Sequence, residues 1–121
     1  MFSVIINVAS AAGTDVLHYV PMGQQAELKS VKLIPAVTSA ADGTHYYTLN
    51  VYGNDGATAV ASRATNATAL TAGTLYELSL SNTDKCVFSG SQFVKVSTTK
   101  ASSGKVKDFQ LLLTFAPART Y

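Results

Sequence analysis

Apolar and polar residues alternate along much of this chain, and a period of two residues is that of a half-buried β-strand. The alternation is clear in four segments, which are residues 47–51, 76–80, 94–96 and 109–115. No window of eleven residues has the 3.6-residue apolar period of an amphipathic helix. The pattern therefore predicts strands, and it predicts no long helix.

Clusters of Gly, Asn, Asp and Ser divide the chain into short pieces, as turns do. Together with the alternation they predict about eight strands, without helices between them. One of these is expected over residues 31–37, where Pro35 lacks an N–H and should lie at a sheet edge or a bulge. We predict an all-β fold, an antiparallel β-sandwich, with residues 1–121 as a single domain.

Several strand segments carry apolar residues on both faces, because some large side chains are out of phase with the alternation around them. A strand that is apolar on both faces is normally covered on both faces. We therefore predict that these side chains contact another copy of the chain or a partner protein. The residues are Ile5, Tyr19, Tyr46, Tyr52 and Leu112.

Composition narrows the classes of partner. The 121 residues are 47% hydrophobic, enough for a core, and only 13% charged, with a net charge of +2. Basic residues form no dense stripe of the kind that neutralises phosphates, so nucleic-acid binding is not expected. No apolar stretch reaches the ~20 residues of a membrane-spanning helix, so no membrane partner is expected.

The inventory of reactive side chains is thin: two His, two Glu, five Asp and one Cys. Zinc-ligand spacings, a nucleophile elbow and a phosphate-binding loop are absent from the sequence. We predict no catalytic, cofactor-binding or metal-binding residues, and no enzyme activity. Cys86 is expected as a small buried hydrophobe, the alternative being a Cys–His pair with His18 or His45. Asp42-Gly43 and Asn54-Asp55-Gly56 are expected as turns, the alternative being oxygen donors to Ca²⁺.

The order of strand-like segments resembles that of the small all-β decoration, or cement, proteins of tailed bacteriophage heads. The segments that carry this resemblance are 15–21 (DVLHYVP), 28–35 (LKSVKLIP), 46–53 (YYTLNVYG), 58–62 (TAVAS), 70–80 (LTAGTLYELSL), 93–97 (FVKVS) and 109–115 (FQLLLTF). Ser89-Gly90-Ser91 departs from the acidic-Gly pair usual before the penultimate strand.

The resemblance implies a jelly-roll fold and a structural virion protein. Such a protein binds the assembled capsid and stabilises it, with the major capsid protein and itself, as a homotrimer, for partners. It implies a place on the capsid surface after assembly in the bacterial host cytoplasm, and no cofactor. The alternative class is a carbohydrate- or receptor-binding β-sandwich of a phage fibre, in which Tyr46 and Tyr52 would stack on sugar rings.

Overall fold

The computed structural model describes residues 2–117, which form two antiparallel β-sheets packed face to face. Within these residues there is no α-helix, only a short 3-10 turn at Thr83–Lys85. The nine strands are β1 (Phe2–Ser10), β2 (Val16–Pro21), β3 (Ala26–Pro35), β4 (Tyr46–Tyr52), β5 (Ala59–Ala64), β6 (Tyr76–Leu78), β7 (Val87–Phe88), β8 (Phe93–Ala101) and β9 (Lys107–Pro117).

The strand order is that of a jelly roll, in which each sheet interleaves early and late strands. One sheet, here the β1 sheet, has the order β1-β9-β3-β6, and β7 also pairs with β3. The other, the β2 sheet, has the order β2-β8-β4-β5. The predicted sandwich of jelly-roll type is confirmed. There are nine strands instead of about eight because β6 and β7 are short and share one side of β3.

The inner faces of the two sheets form one hydrophobic core. The alternation accounts for it directly, since Tyr47, Leu49 and Val51 all point inward and are buried. Across the core the ring of Tyr47 stacks on that of Phe109, with centroids 6.2 Å apart. Burying one large apolar side chain stabilises a fold by roughly 1.5–3 kcal/mol, so this interior is what holds the sheets together.

Strand β3 differs from its prediction in two respects. It covers Ala26–Pro35, so it begins and ends earlier than the predicted residues 31–37. Its first part was missed because a β-bulge between Leu28 and Ser30 changes the phase of the apolar residues there. Pro35 is the last residue of β3, and as a strand residue it pairs with Phe109 of β9 only, because pairing with β6 ends at Leu33. Its position is therefore locally a sheet edge, as expected, although β3 is an inner strand.

Candidate functional site

The reactive side chains singled out in the sequence do not form a cluster. Cys86 is buried in the core, and burial together with the nearby carboxylates of Glu27 and Asp84 raises the pKa of its thiol. The Nδ1 atom of His45 lies 2.9 Å from the hydroxyl oxygen of Ser103. Among residues 2–117 no three His, Cys, Asp or Glu side chains are grouped so as to hold a metal ion. In the same range no helix is long and apolar enough to cross a membrane.

The two aspartates weighed as Ca²⁺ donors are occupied in their own turns. Oδ1 of Asp42 accepts hydrogen bonds from the N–H groups of His45 and Thr44, at 3.0 and 2.9 Å, which hold the pKa of Asp42 at about 2. Asp55 accepts from the hydroxyl of Thr58 at 2.6 Å and from the Thr58 N–H, and the pKa of its carboxyl is lowered likewise. These carboxylates stabilise loops at the ends of strands.

Lys107 is a buried charged residue, and it was not among the candidates identified from the sequence. Its side chain is buried, its ammonium donates to the carbonyl oxygens of Ala11 and Lys105, and it lies 5.5 Å from the centroid of the Tyr47 ring. Burial lowers the pKa of Lys107. The signal was present in the sequence, since Lys107 is in phase with the buried Phe109. Its contacts connect two loops at one end of the sandwich.

The outer face of the β1 sheet carries an aliphatic patch. Ile5 on β1 is directly opposite Leu112 on β9, and Lys32 on β3 is opposite Leu112 on its other side. These three residues line a shallow depression of about 130 Å³ together with Ile34, Leu75, Gln110 and Leu111. Ile5 is 62% exposed and Leu75 56% exposed. We call Ile5, Ile34, Leu75 and Leu112 the aliphatic face.

The outer face of the β2 sheet carries aromatic rings and a lysine. The rings of Tyr19 and Phe93 meet edge to face with centroids 5.0 Å apart. The ammonium of Lys95 lies 4.8 Å from the centroid of the Tyr52 ring. The Ser97 hydroxyl donates a hydrogen bond to the Tyr52 hydroxyl at 3.4 Å. We call Tyr19, Tyr52, Phe93 and Lys95 the aromatic face.

The five predicted contact residues therefore lie on outer faces, but not on one surface. Ile5 and Leu112 belong to the aliphatic face. Tyr19 and Tyr52 belong to the aromatic face, and Tyr46 is at the opposite end of β4, paired with Ala101. Whether any of them contacts another chain stays a prediction.

Sequence reasoning missed Ile34, Leu75, Phe93 and Lys95. Two of these gave a signal, because Ile34 and Phe93 are out of phase with the buried residues beside them, Leu33 and Val94. Leu75 lies just before β6, outside the strand, so the alternation does not indicate which way its side chain points. Lys95 shares a face with Tyr52 only because β4 and β8 are neighbours in the sheet, which the sequence does not display.

No protein-family model matches this sequence, and a search of curated proteins gave no match. Among solved structures the chain is similar to one in "Structure of infectious bursal disease virus Gx strain", with 17% sequence identity and a TM-score of 0.41. The match covers 99% of this chain and 33% of the viral chain, so this chain spans about a third of that protein. A likeness this distant carries no argument about function.

Proposed function

We propose that this protein is a structural virion protein that binds an assembled phage capsid and stabilises it, as a decoration or cement protein. The observation that carries the proposal is the uncovered aliphatic face on a jelly-roll sandwich. Ile5, Ile34 and Leu75 are 62%, 42% and 56% exposed in the isolated chain. Exposed apolar side chains that form one contiguous patch are often a protein contact surface.

The chemistry of the aliphatic face favours a broad, permanent contact over a small ligand. Its depression is shallow and lined mainly by aliphatic side chains, whereas a ligand site has several polar groups that converge on the ligand. Removing apolar surface from water contributes roughly 25 cal/mol per Å², which suits a large flat contact. We infer that the major capsid protein is the partner, that the protein acts as a homotrimer on the capsid surface, and that it is not an enzyme.

Co-sedimentation with capsids tests the proposal. The purified protein is mixed with mature particles of the phage whose genome encodes it, after its own copies have been stripped, and the particles are pelleted. We expect saturable binding at a fixed ratio to the major capsid protein, and particles that resist heating better. Protein that stays in the supernatant at every concentration would contradict the proposal.

A second function is favoured by a different observation, on the aromatic face. The exposed ring of Phe93 borders a pocket of about 140 Å³ that is also lined by Asn54, Asp55, Ser91 and Gln92. An aromatic ring beside amide and carboxylate groups is chemistry that binds sugars. This supports the fibre-module alternative at Phe93 more than at Tyr52, whose ring already has the Lys95 ammonium over it. Binding on a glycan array, lost in Phe93→Ala, would favour this function over capsid binding.

A further inference from the structure

Strand β1 is an unusually unprotected sheet edge. Among the described residues it pairs only with β9, so the other side of its backbone is free. It is nine residues long, contains no charged residue and no proline, and pairs with β9 without any register shift. Natural proteins usually protect an edge strand by shortness, charge, proline or a bulge, because free backbone groups pair with another strand.

The other three edges of the sandwich carry such protection. Strand β2 has six residues and ends in Pro21. Strand β5 also has six, includes Arg63, and is bulged where it pairs with Val51 and Tyr52. On the far side of the β1 sheet, β6 and β7 have only three and two residues. Because the protected edges and the unprotected β1 edge belong to the same chain, the low share of charged residues in the chain does not explain why β1 is unprotected.

The side of the sandwich next to β1 is also incompletely closed. A groove of about 420 Å³ runs between β1 and the β2 edge, lined by residues 4–7 and 18–21. Inward-facing Phe2 and Val4 on β1 and Val16 and Val20 on β2 are only partly buried, although they pack against the core. Free backbone and partly exposed apolar side chains therefore occur together on this side.

We propose that a second copy of this chain pairs its β1 with this β1, antiparallel and about a two-fold axis at Ile6. In that register Ile6 is opposite its own copy, Val4 is opposite Val8, and Ile5 is opposite Asn7. Inward-facing residues stay on the inner side, so the two β1 sheets continue into one. No like charges meet, because β1 has none.

Two features make a second copy the occupant of this edge. In the free chain the exposed N–H and C=O groups along these nine residues, about 30 Å, bond to water, and the protein element that matches the whole row is another extended strand. The uncharged edge favours an uncharged strand with the same alternation, and β1 is one. The pairing is isologous, whereas a trimer joins two different surfaces of each chain. The inference therefore does not rest on the proposed trimer or on capsid binding.

Light scattering coupled to size exclusion tests the pairing. The wild type should have twice the mass of the double variant Ile5→Lys/Asn7→Lys, whether the step is from dimer to monomer or from hexamer to trimer. Gln110→Lys is the control for a lysine on this face, because it places one positive charge on β9, beside Asn7 but away from the free edge. Equal masses for wild type and double variant, with both folded by circular dichroism, would overturn the proposal.

A crosslinking experiment tests the register without charged substitutions. Chains with Ile5→Cys and chains with Asn7→Cys are prepared separately, mixed and oxidised. Directly opposite residues of an antiparallel pair have Cβ atoms about 4.5–5.5 Å apart, close enough for a disulfide after small adjustment. The mixed disulfide should form several-fold faster than either homodimer, while Cys86 is buried and stays reduced. No preference for the mixed disulfide would overturn the register.

Discussion

Both outer faces of the sandwich carry apolar side chains, but the two faces differ in whether these side chains also have polar groups. On the aliphatic face Ile5 and Leu112 have no polar atoms, so only a covering surface relieves their exposure. On the aromatic face Tyr52 has a hydroxyl bonded to Ser97 and an ammonium from Lys95 over its ring. Amphipathic side chains of this kind are stable with the apolar part covered and the polar part in water. The difference favours the aliphatic face as the contact surface.

The largest effect is expected from a charge placed on the aliphatic face. Leu112→Asp would put a carboxylate in the proposed contact, opposite Lys32 on β3, and taking this pair of charges out of water costs several kcal/mol by rough estimate. We expect particle binding to fall by at least about a hundredfold, which corresponds to about 2.7 kcal/mol. The fold should survive, because Leu112 is only partly buried and points away from the core.

Gln110→Asp is the matched control for that variant. Gln110 is on the same strand and face as Leu112 and also lines the depression, but it is exposed and already polar in wild type, so Gln110→Asp should lower binding much less than Leu112→Asp does. Equal losses from both variants would mean that any negative charge on this face is harmful, and Leu112 would have no special part. Unfolding of Leu112→Asp, seen by circular dichroism, would mean that Leu112 belongs to the core.

A substitution of the buried Lys107 should change the unfolding free energy and leave particle binding unchanged. In wild type the folded-state pKa of Lys107 is below its ordinary 10.5. Between the two values the unfolded chain holds a proton that the folded chain has released, so the stability of wild type rises with pH. Lys107→Met has no proton to release at this position, so its stability lacks this dependence on pH. The unfolding free energy of wild type relative to Lys107→Met should therefore increase from neutral pH to 10.5.

Urea unfolding at a series of pH values measures that difference. Tyr47, whose pKa is raised by burial, also makes stability depend on alkaline pH and lies beside Lys107, so both proteins in the comparison carry Tyr47→Phe. Particle binding at neutral pH should be the same for both. A difference that does not change with pH would show that Lys107 is not desolvated as the structure has it.

The smallest expected effect is on the aromatic face. Phe93→Ala removes the edge-to-face contact with Tyr19, worth about 0.5–1.5 kcal/mol when such pairs are well packed. Since Phe93 is 44% exposed, we expect a loss of stability near the lower value and no more than a twofold change in particle binding. A large loss of binding in Phe93→Ala would reverse the comparison of the two faces.

Local pattern was enough to predict the fold class. Alternation identified Tyr47, Leu49 and Val51 as inward-facing, and it identified Leu112 as outward-facing between Leu111 and Leu113. Even the missed bulge in β3 left a trace in the sequence. Apolar Leu28 and Val31 are three positions apart instead of two, because an extra residue changes the phase of the strand between them.

Pairing between distant strands was beyond the sequence. Ile5 and Leu112 meet on one sheet and Tyr19 and Tyr52 on the other because β1 pairs with β9, while β2 and β4 both pair with β8. Alternation says which way a side chain points from its own strand, and it does not say which sheet the strand joins. The five contact residues were therefore predicted as one set although they occupy two surfaces.

A cryo-EM reconstruction of the parent particle would show directly which face is covered. We expect jelly-roll density on the outside of the shell, with Ile5 and Leu112 covered by a neighbouring chain and the Tyr19–Phe93 pair facing solvent. Capsid binding through the aliphatic face would be excluded by particles without such density, or by density in which Ile5 and Leu112 face solvent and the aromatic face lies against the shell.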